Sequence, residues 1–147
     1  MERTFIIIKP NSVQRELIGD IISRFEKRGL KISAMKLILI DKKTAERHYS
    51  EHVGKDFYQP LIKFITSGPS VVMILEGDQA IEIVRQMCGT TDPLQADPGT
   101  IRGDYGMSIR QNIIHASDSV ESAEREIDIF FKKEEIIDYK LAARPWI

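Results

Sequence analysis

The residue best placed to do chemistry is His115. It follows the apolar pair Ile113-Ile114 and is itself followed by Ala116-Ser117-Asp118-Ser119. Beyond these, Val120, Ala123, Ile127, Phe130 and Phe131 recur at helical spacing, so the stretch from Asn112 predicts strand, turn and helix, with His115 at the end of the strand. Ser117, Asp118 and Ser119 can each cap the helix, and Asp118 with Glu121 has capping-box spacing. The free N–H groups and positive dipole end of such a helix would lie beside the imidazole and suit an anion. An imidazole, with its ordinary pKa of about 6.5, is also a nucleophile at neutral pH. A histidine beside an anion site can attack a phosphorus atom and carry the phosphoryl group. Taken alone, the octapeptide favours a plainer assignment, a histidine that ends a strand and bonds a backbone carbonyl. The other polar outliers must decide.

Three of these outliers are cations. Lys9 ends the apolar strand Thr4–Ile8, Arg85 lies on the polar side of a helix near its C-terminal end, and Arg102 sits in Pro98-Gly99-Thr100-Ile101-Arg102-Gly103-Asp104. Two of them have an ordinary structural role open to them. A lysine can snorkel, and an arginine can favour a helix C-terminus. Together they would serve a polyphosphate, and a guanidinium on a shaped backbone is suited to phosphate oxygens. Phe57, in the polar and aromatic segment from His52 to Tyr58, offers a flat face for a base. It serves equally well as an anchor for a helical hairpin. Asn112 and Thr91 offer hydrogen bonds to a sugar and its phosphates.

The elements that must position these groups can be read in order. Thr4 to Lys9 predicts a buried strand stopped by Pro10. Leu17, Ile18, Ile21, Ile22 and Phe25 form a helical stripe closed by Gly29. Leu30 to Ile40 predicts a second strand with a bulge near Ala34 to Met35, where the apolar phase changes. Thr44 to Glu51 and Pro60 to Thr66 read as two short helices, and Ser70 to Leu75 as a central strand. Ala80, Ile81, Val84 and Cys88 mark another helix ending at Gly89. The long connection from Thr90 to Gly106 is of the kind that usually carries function. Glu134 to Tyr139 predicts a last helical turn, and the tail holds a Trp146 that needs something to pack on. With the two short helices set aside, the order is β-α-β-β-α-β. Right-handed crossovers then give an α+β fold, a ferredoxin-like αβ sandwich with a four-stranded antiparallel sheet, helices on one face and an inserted helical hairpin.

Composition bounds the rest. The 147 residues suit a single domain spanning 1–147, and 42% hydrophobic with 29% charged residues is a globular balance. A formal net charge of −1 gives no general attraction for nucleic acid or anionic membrane. The first apolar run is too short for a signal peptide, and no run reaches transmembrane length. The single cysteine, Cys88, fits a reducing cytosol and so a cytoplasmic location. No P-loop, dinucleotide fingerprint or zinc-spaced cluster is present.

The chain as a whole resembles the nucleoside diphosphate kinase family. The resemblance runs from Glu2 to Trp146 and rests on Arg3-Thr4-Phe5 leading to Ile8-Lys9-Pro10, Thr66-Ser67-Gly68-Pro69, Pro98 to Asp104, and Asn112 to Ser119. It implies ping-pong transfer of a γ-phosphoryl group from a nucleoside triphosphate to a nucleoside diphosphate through phosphorylated His115. It further implies that Lys9 and Asn112 contact the sugar and phosphate region, while Phe57 and Ile109 flank the base. His52, Arg85, Thr91 and Arg102 would line phosphates bridged by Mg²⁺, with no metal held directly by the protein. Tyr49 and Lys9 would lie near the moving group, and Glu126 and Ser117 would orient the histidine. A hexamer or tetramer of identical chains is implied as well. Ala116, Gln111 and Pro60 depart from the glycine, arginine and glycine frequent in the family, and the Tyr-Glu that often follows the tryptophan is absent. A non-catalytic nucleotide sensor would be expected to lose His115 or a phosphate cation. A phosphohistidine relay protein would not need Phe57, Lys9 and Asn112.

Overall fold

The computed structural model describes residues 1–147. Its centre is a four-stranded sheet of β1 (Glu2–Ile8), β2 (Lys31–Leu39), β3 (Pro69–Gly77) and β4 (Ile114–Ala116), in the order β2-β3-β1-β4. Every neighbouring pair is antiparallel. This is the α+β arrangement predicted from the β-α-β-β-α-β order.

The strands β1 and β3 are apolar on both faces because both faces are covered. Phe5, Ile7, Val72 and Ile74 pack with α3 (Lys42–His48), α4 (Tyr58–Ile65) and α7 (Val120–Phe130). Ile6, Ile8, Met73 and Leu75 pack with α2 (Ile18–Arg28) and α5 (Ala80–Cys88). The expectation of helices on one face is therefore corrected. The inserted hairpin and the last helix form a second layer, which accounts for the continuous apolar runs. Gly29 ends α2 at φ 97°, as its place after the stripe predicts. The bulge in β2 falls between Ile32 and Ala34, one step before the predicted place.

Other boundaries differ locally. Pro10 starts a short helix, α1 (Pro10–Gln14), as well as ending the strand. The Thr90–Gly106 connection contains a further helix, α6 (Ile101–Tyr105). The predicted turn at Glu134–Tyr139 is a single 3-10 turn at Lys133–Glu135, after which Ile137 N–H and the Tyr139 hydroxyl bond the carbonyls of Ser33 and Ile32. Trp146 finds no packing within the chain and is 91% exposed. No helix is long and apolar enough to cross a membrane.

Candidate active site

The site begins with a strand that is shorter than its sequence predicts. Ile113 has φ 80°, in the left-handed region that a β-branched side chain avoids, so β4 starts only at Ile114. His115 is thus the middle residue of a three-residue strand, not its end, and pairs with Ile7. A conformation of this kind costs of order 1–3 kcal/mol and needs its surroundings to hold it. Here the Ile113 side chain is fully buried. Its carbonyl accepts from the Lys9 N–H at 3.0 Å and the Ser12 hydroxyl at 2.7 Å. The kink is therefore locked to the end of β1, where Lys9 also stands.

The imidazole of His115 is fixed from behind. Its Nε2 lies 2.6 Å from Oε1 of Glu126, a buried side chain on α7. The same oxygen accepts from the Ser117 hydroxyl at 2.9 Å, and that hydroxyl accepts from the Phe5 N–H at 3.2 Å. The carboxylate assigns the ring proton to Nε2 and leaves the lone pair on Nδ1. Burial, then the charges of Lys9 and Arg102, hold His115 well below its ordinary value, at about 3. Burial pushes the Glu126 carboxyl upward. A neutral, oriented imidazole with one free nitrogen is what nucleophilic attack needs. The helix cap is Ser119, which accepts from the Ser122 N–H at 3.1 Å, so the Asp118–Glu121 capping box is not formed.

In front of His115 opens a cavity of about 1080 Å³. Every site residue named from the sequence lines it except Ser117, which stands behind Glu126. Lys9, although charged in type, is buried and donates to Asn112 Oδ1 at 2.7 Å. Burial first, and Arg102 second, lower its pKa to about 7. Asn112 in turn donates to the Thr91 carbonyl at 3.0 Å. Tyr49 brings a buried hydroxyl with no partner, and burial pushes its pKa up. At the mouth, Phe57 and Ile109 are 45% and 56% exposed, and the His52 ring lies 5.1 Å from that of Phe57. Arg85 faces the cavity from the last turn of α5.

Arg102 is more than a cation on a loop. It lies near the start of α6, and its guanidinium donates to the carbonyls of Asn112 (3.2 Å), Gly89 (2.7 Å) and Ile114 (2.6 Å). Five N–H donors are available to a guanidinium, so part of the fork remains for a phosphate. The close approach of α6 depends on Gly103, where a Cβ would stand 2.0 Å from the Asp97 carbonyl oxygen. Two further residues escape a reading of the sequence. Ser12 is one, hidden after Pro10. His48 is the other, at the end of α3, buried and edge-on to His115 with ring centroids 4.6 Å apart. Its signal was there, three residues after the core residue Ala45 in an otherwise polar helix.

The sequence model of the nucleoside diphosphate kinase family matches residues 2–136. The chain belongs to this family. A nucleoside diphosphate kinase of Kosmotoga olearia is 60% identical over 141 residues, covering 96% of each chain. One from Listeria monocytogenes is 56% identical over the full length of both chains. Among solved structures, the nucleoside diphosphate kinase of Halobacterium salinarum in complex with CDP is similar at TM-score 0.97 and 48% identity, covering 99% of this chain and 97% of that one. The family protein from Babesia bovis is similar at 0.96 and 44%, covering 99% of both.

Proposed function

We propose that this nucleoside diphosphate kinase transfers the γ-phosphoryl group of a nucleoside triphosphate to a nucleoside diphosphate through His115, so maintaining ribo- and deoxyribonucleoside triphosphate pools. The observation that carries the reading is the Ser117–Glu126–His115 chain at the floor of the cavity, with bonds of 2.9 and 2.6 Å. The base stacks at the mouth between Phe57 and Ile109. Lys9 and Asn112 hold the sugar and inner phosphates, and His52, Arg85, Thr91 and Arg102 hold the outer ones. Nδ1 of His115 attacks the γ-phosphorus, the bond to the bridging oxygen breaks, and the diphosphate leaves. The ring then carries a positive charge, which the Glu126 carboxylate offsets while keeping the Nε2 proton. Tyr49 and Lys9 lie beside the moving group. A second diphosphate reverses the step.

The phosphate-facing side chains Lys9, Arg85 and Arg102 are donors only, so they do not form a cage for a dication. Mg²⁺ fits as a companion of the nucleotide's phosphates, where it would supply charge neutralisation. The protein itself works by positioning and by preorganised charge. The outer edge of β2 leaves Met35, Leu37 and Leu39 at 52%, 61% and 73% exposure, and Trp146 is free, which supports assembly of identical chains as a tetramer or hexamer. One domain over residues 1–147 and a cytoplasmic location complete the reading. The test is incubation with γ-labelled nucleoside triphosphate alone. It should yield an acid-labile, alkali-stable phosphoprotein that His115→Ala abolishes, and full labelling of that variant would refute the assignment.

A further inference from the structure

The nucleophile has a neighbour to which the proposed transfer gives no role. His48 is 4% exposed, and neither of its ring nitrogens has a hydrogen-bond partner. Buried polar atoms are nearly always paired, so an imidazole with two free nitrogens marks an available ligand. Its ring stands at 86° to that of His115, with centroids 4.6 Å apart. One ligand atom from each of His48, His115 and Glu126 can be chosen so that all lie within 4.8 Å of one another. We infer that these three side chains form a site for a transition-metal dication of the zinc class, filled while the cavity holds no nucleotide.

Tetrahedral zinc, with bonds of about 2.0–2.2 Å to nitrogen and oxygen, spaces its donors roughly 3.3–3.6 Å apart. The shortest spacing here, 2.6 Å between His115 Nε2 and Glu126 Oε1, lies below that value, and the 4.8 Å limit lies above it. Movements of about an ångström bring the donors to the tetrahedral spacing. Two imidazoles and one carboxylate with an open fourth position suit zinc and not magnesium, which prefers oxygen donors alone. The Ser117 hydroxyl, 2.9 Å from Glu126 Oε1, already gives the carboxylate the support that metal-binding carboxylates usually have. Entry is through the cavity, where the His115 side chain remains 21% exposed.

The consequence for activity rests on the proposed role of His115 as nucleophile. A neutral imidazole carries one ring proton. When the metal takes the lone pair at Nε2, that proton resides on Nδ1, and the attacking lone pair is gone. Solvent takes the proton from Nε2 and returns one to Nδ1, so the ring's proton count is unchanged, no bond to phosphorus forms, and the enzyme is held in an unreactive tautomer. The metal thus acts as a reversible inhibitor chosen by donor type.

The experiment uses the full chain without nucleotide. Titration with Co²⁺ should give a visible ligand-field band saturating at one equivalent per chain and displaced by Zn²⁺. His48→Gln should weaken Co²⁺ binding at least tenfold. Independently, X-ray absorption at the zinc edge of the wild-type protein should report two imidazoles per bound zinc, a result that does not depend on how the variant folds. With Mg²⁺-nucleotide kept below saturation, rising free Zn²⁺ should slow labelling of His115, and His48→Gln should need at least tenfold more Zn²⁺, each protein compared with its own metal-free rate. Absence of Co²⁺ binding, binding unchanged in His48→Gln, or fewer than two imidazoles would overturn the site. Loss of labelling without zinc would instead refute the phosphotransfer role of His115, while the Co²⁺ titration would still decide the metal site.

Discussion

The floor and the mouth of the cavity are built on opposite plans. At the floor, His115, Glu126, Ser117, Lys9, Asn112 and Arg102 are wholly or largely buried, and each polar group is tied to another side chain or to a carbonyl. At the mouth, Phe57 and Ile109 are about half exposed, and the His52 ring and the Lys55 ammonium meet Phe57 only at ring-contact distances of 5.1 and 5.6 Å. Charges at the floor act in a low dielectric, and their geometry is set before substrate arrives, which is where transition-state stabilisation is strongest. The mouth supplies apolar faces, and stacking on a face hardly distinguishes one base from another. The proposed roles thus predict a molecule exacting about the phosphoryl group and tolerant of the base.

The comparison is broken most severely by unfastening the floor. Glu126→Ala should reduce the rate of His115 phosphorylation at saturating nucleotide by roughly 10²–10³-fold, the scale of losing one preorganised polar group in an active site. Glu126→Gln should fall between, because an amide oxygen can still accept from Nε2 without offering charge. Single-turnover label transfer checks this, and an unaltered rate in Glu126→Ala would mean that the imidazole orients without help. A change at the mouth should act on binding instead. Phe57→Ala should weaken purine and pyrimidine nucleotides alike by about 1–3 kcal/mol and leave the saturated transfer rate nearly intact. Calorimetric titration with two bases would show it, and a large loss for one base alone would reveal edge readout.

The sequence discloses the two regions unequally. Strand alternation, the Gly29 cap and the apolar runs carry the sheet, because burial imposes its period on the residues. The cations and the nucleophile are visible as polar outliers at strand ends. What was hidden depends on tertiary geometry. The left-handed Ile113 has an identity that argues against its own conformation, and burial of its side chain with the bonds from Lys9 and Ser12 stabilises it. Spacing does not disclose the second helical layer, because a hairpin and a C-terminal helix can dock on either face of a sheet. Arg102 suggests a phosphate ligand by its glycine neighbours, yet one of them, Gly103, lets α6 approach the Asp97 carbonyl, and the arginine clamps three backbone carbonyls. His48 sat in a helix read as polar, and its burial follows from the packing of α3 on α7.

A finer test separates the regions by counting protons. Lys9 belongs to the floor, and burial with the nearby Arg102 lowers its pKa to about 7. At pH 8 most of the nucleotide-free protein therefore carries it neutral. The unfolded chain, with a lysine near 10.4, binds more protons between pH 7 and 10, so this group's contribution to stability rises with pH across that window. A diphosphate brought to the cavity favours the charged ammonium and raises the pKa again. Binding at pH 8 should therefore take up a proton, approaching one per site, since the phosphates themselves are fully ionised there. Calorimetry in two buffers of different ionisation enthalpy measures the uptake. Lys9→Met should lose most of it, whereas Phe57→Ala should bind less tightly yet take up the same number. Zero uptake by the unmodified protein would mean that Lys9 is already charged before substrate arrives, with Asn112 Oδ1, 2.7 Å from its Nζ, sustaining the ammonium in the empty cavity.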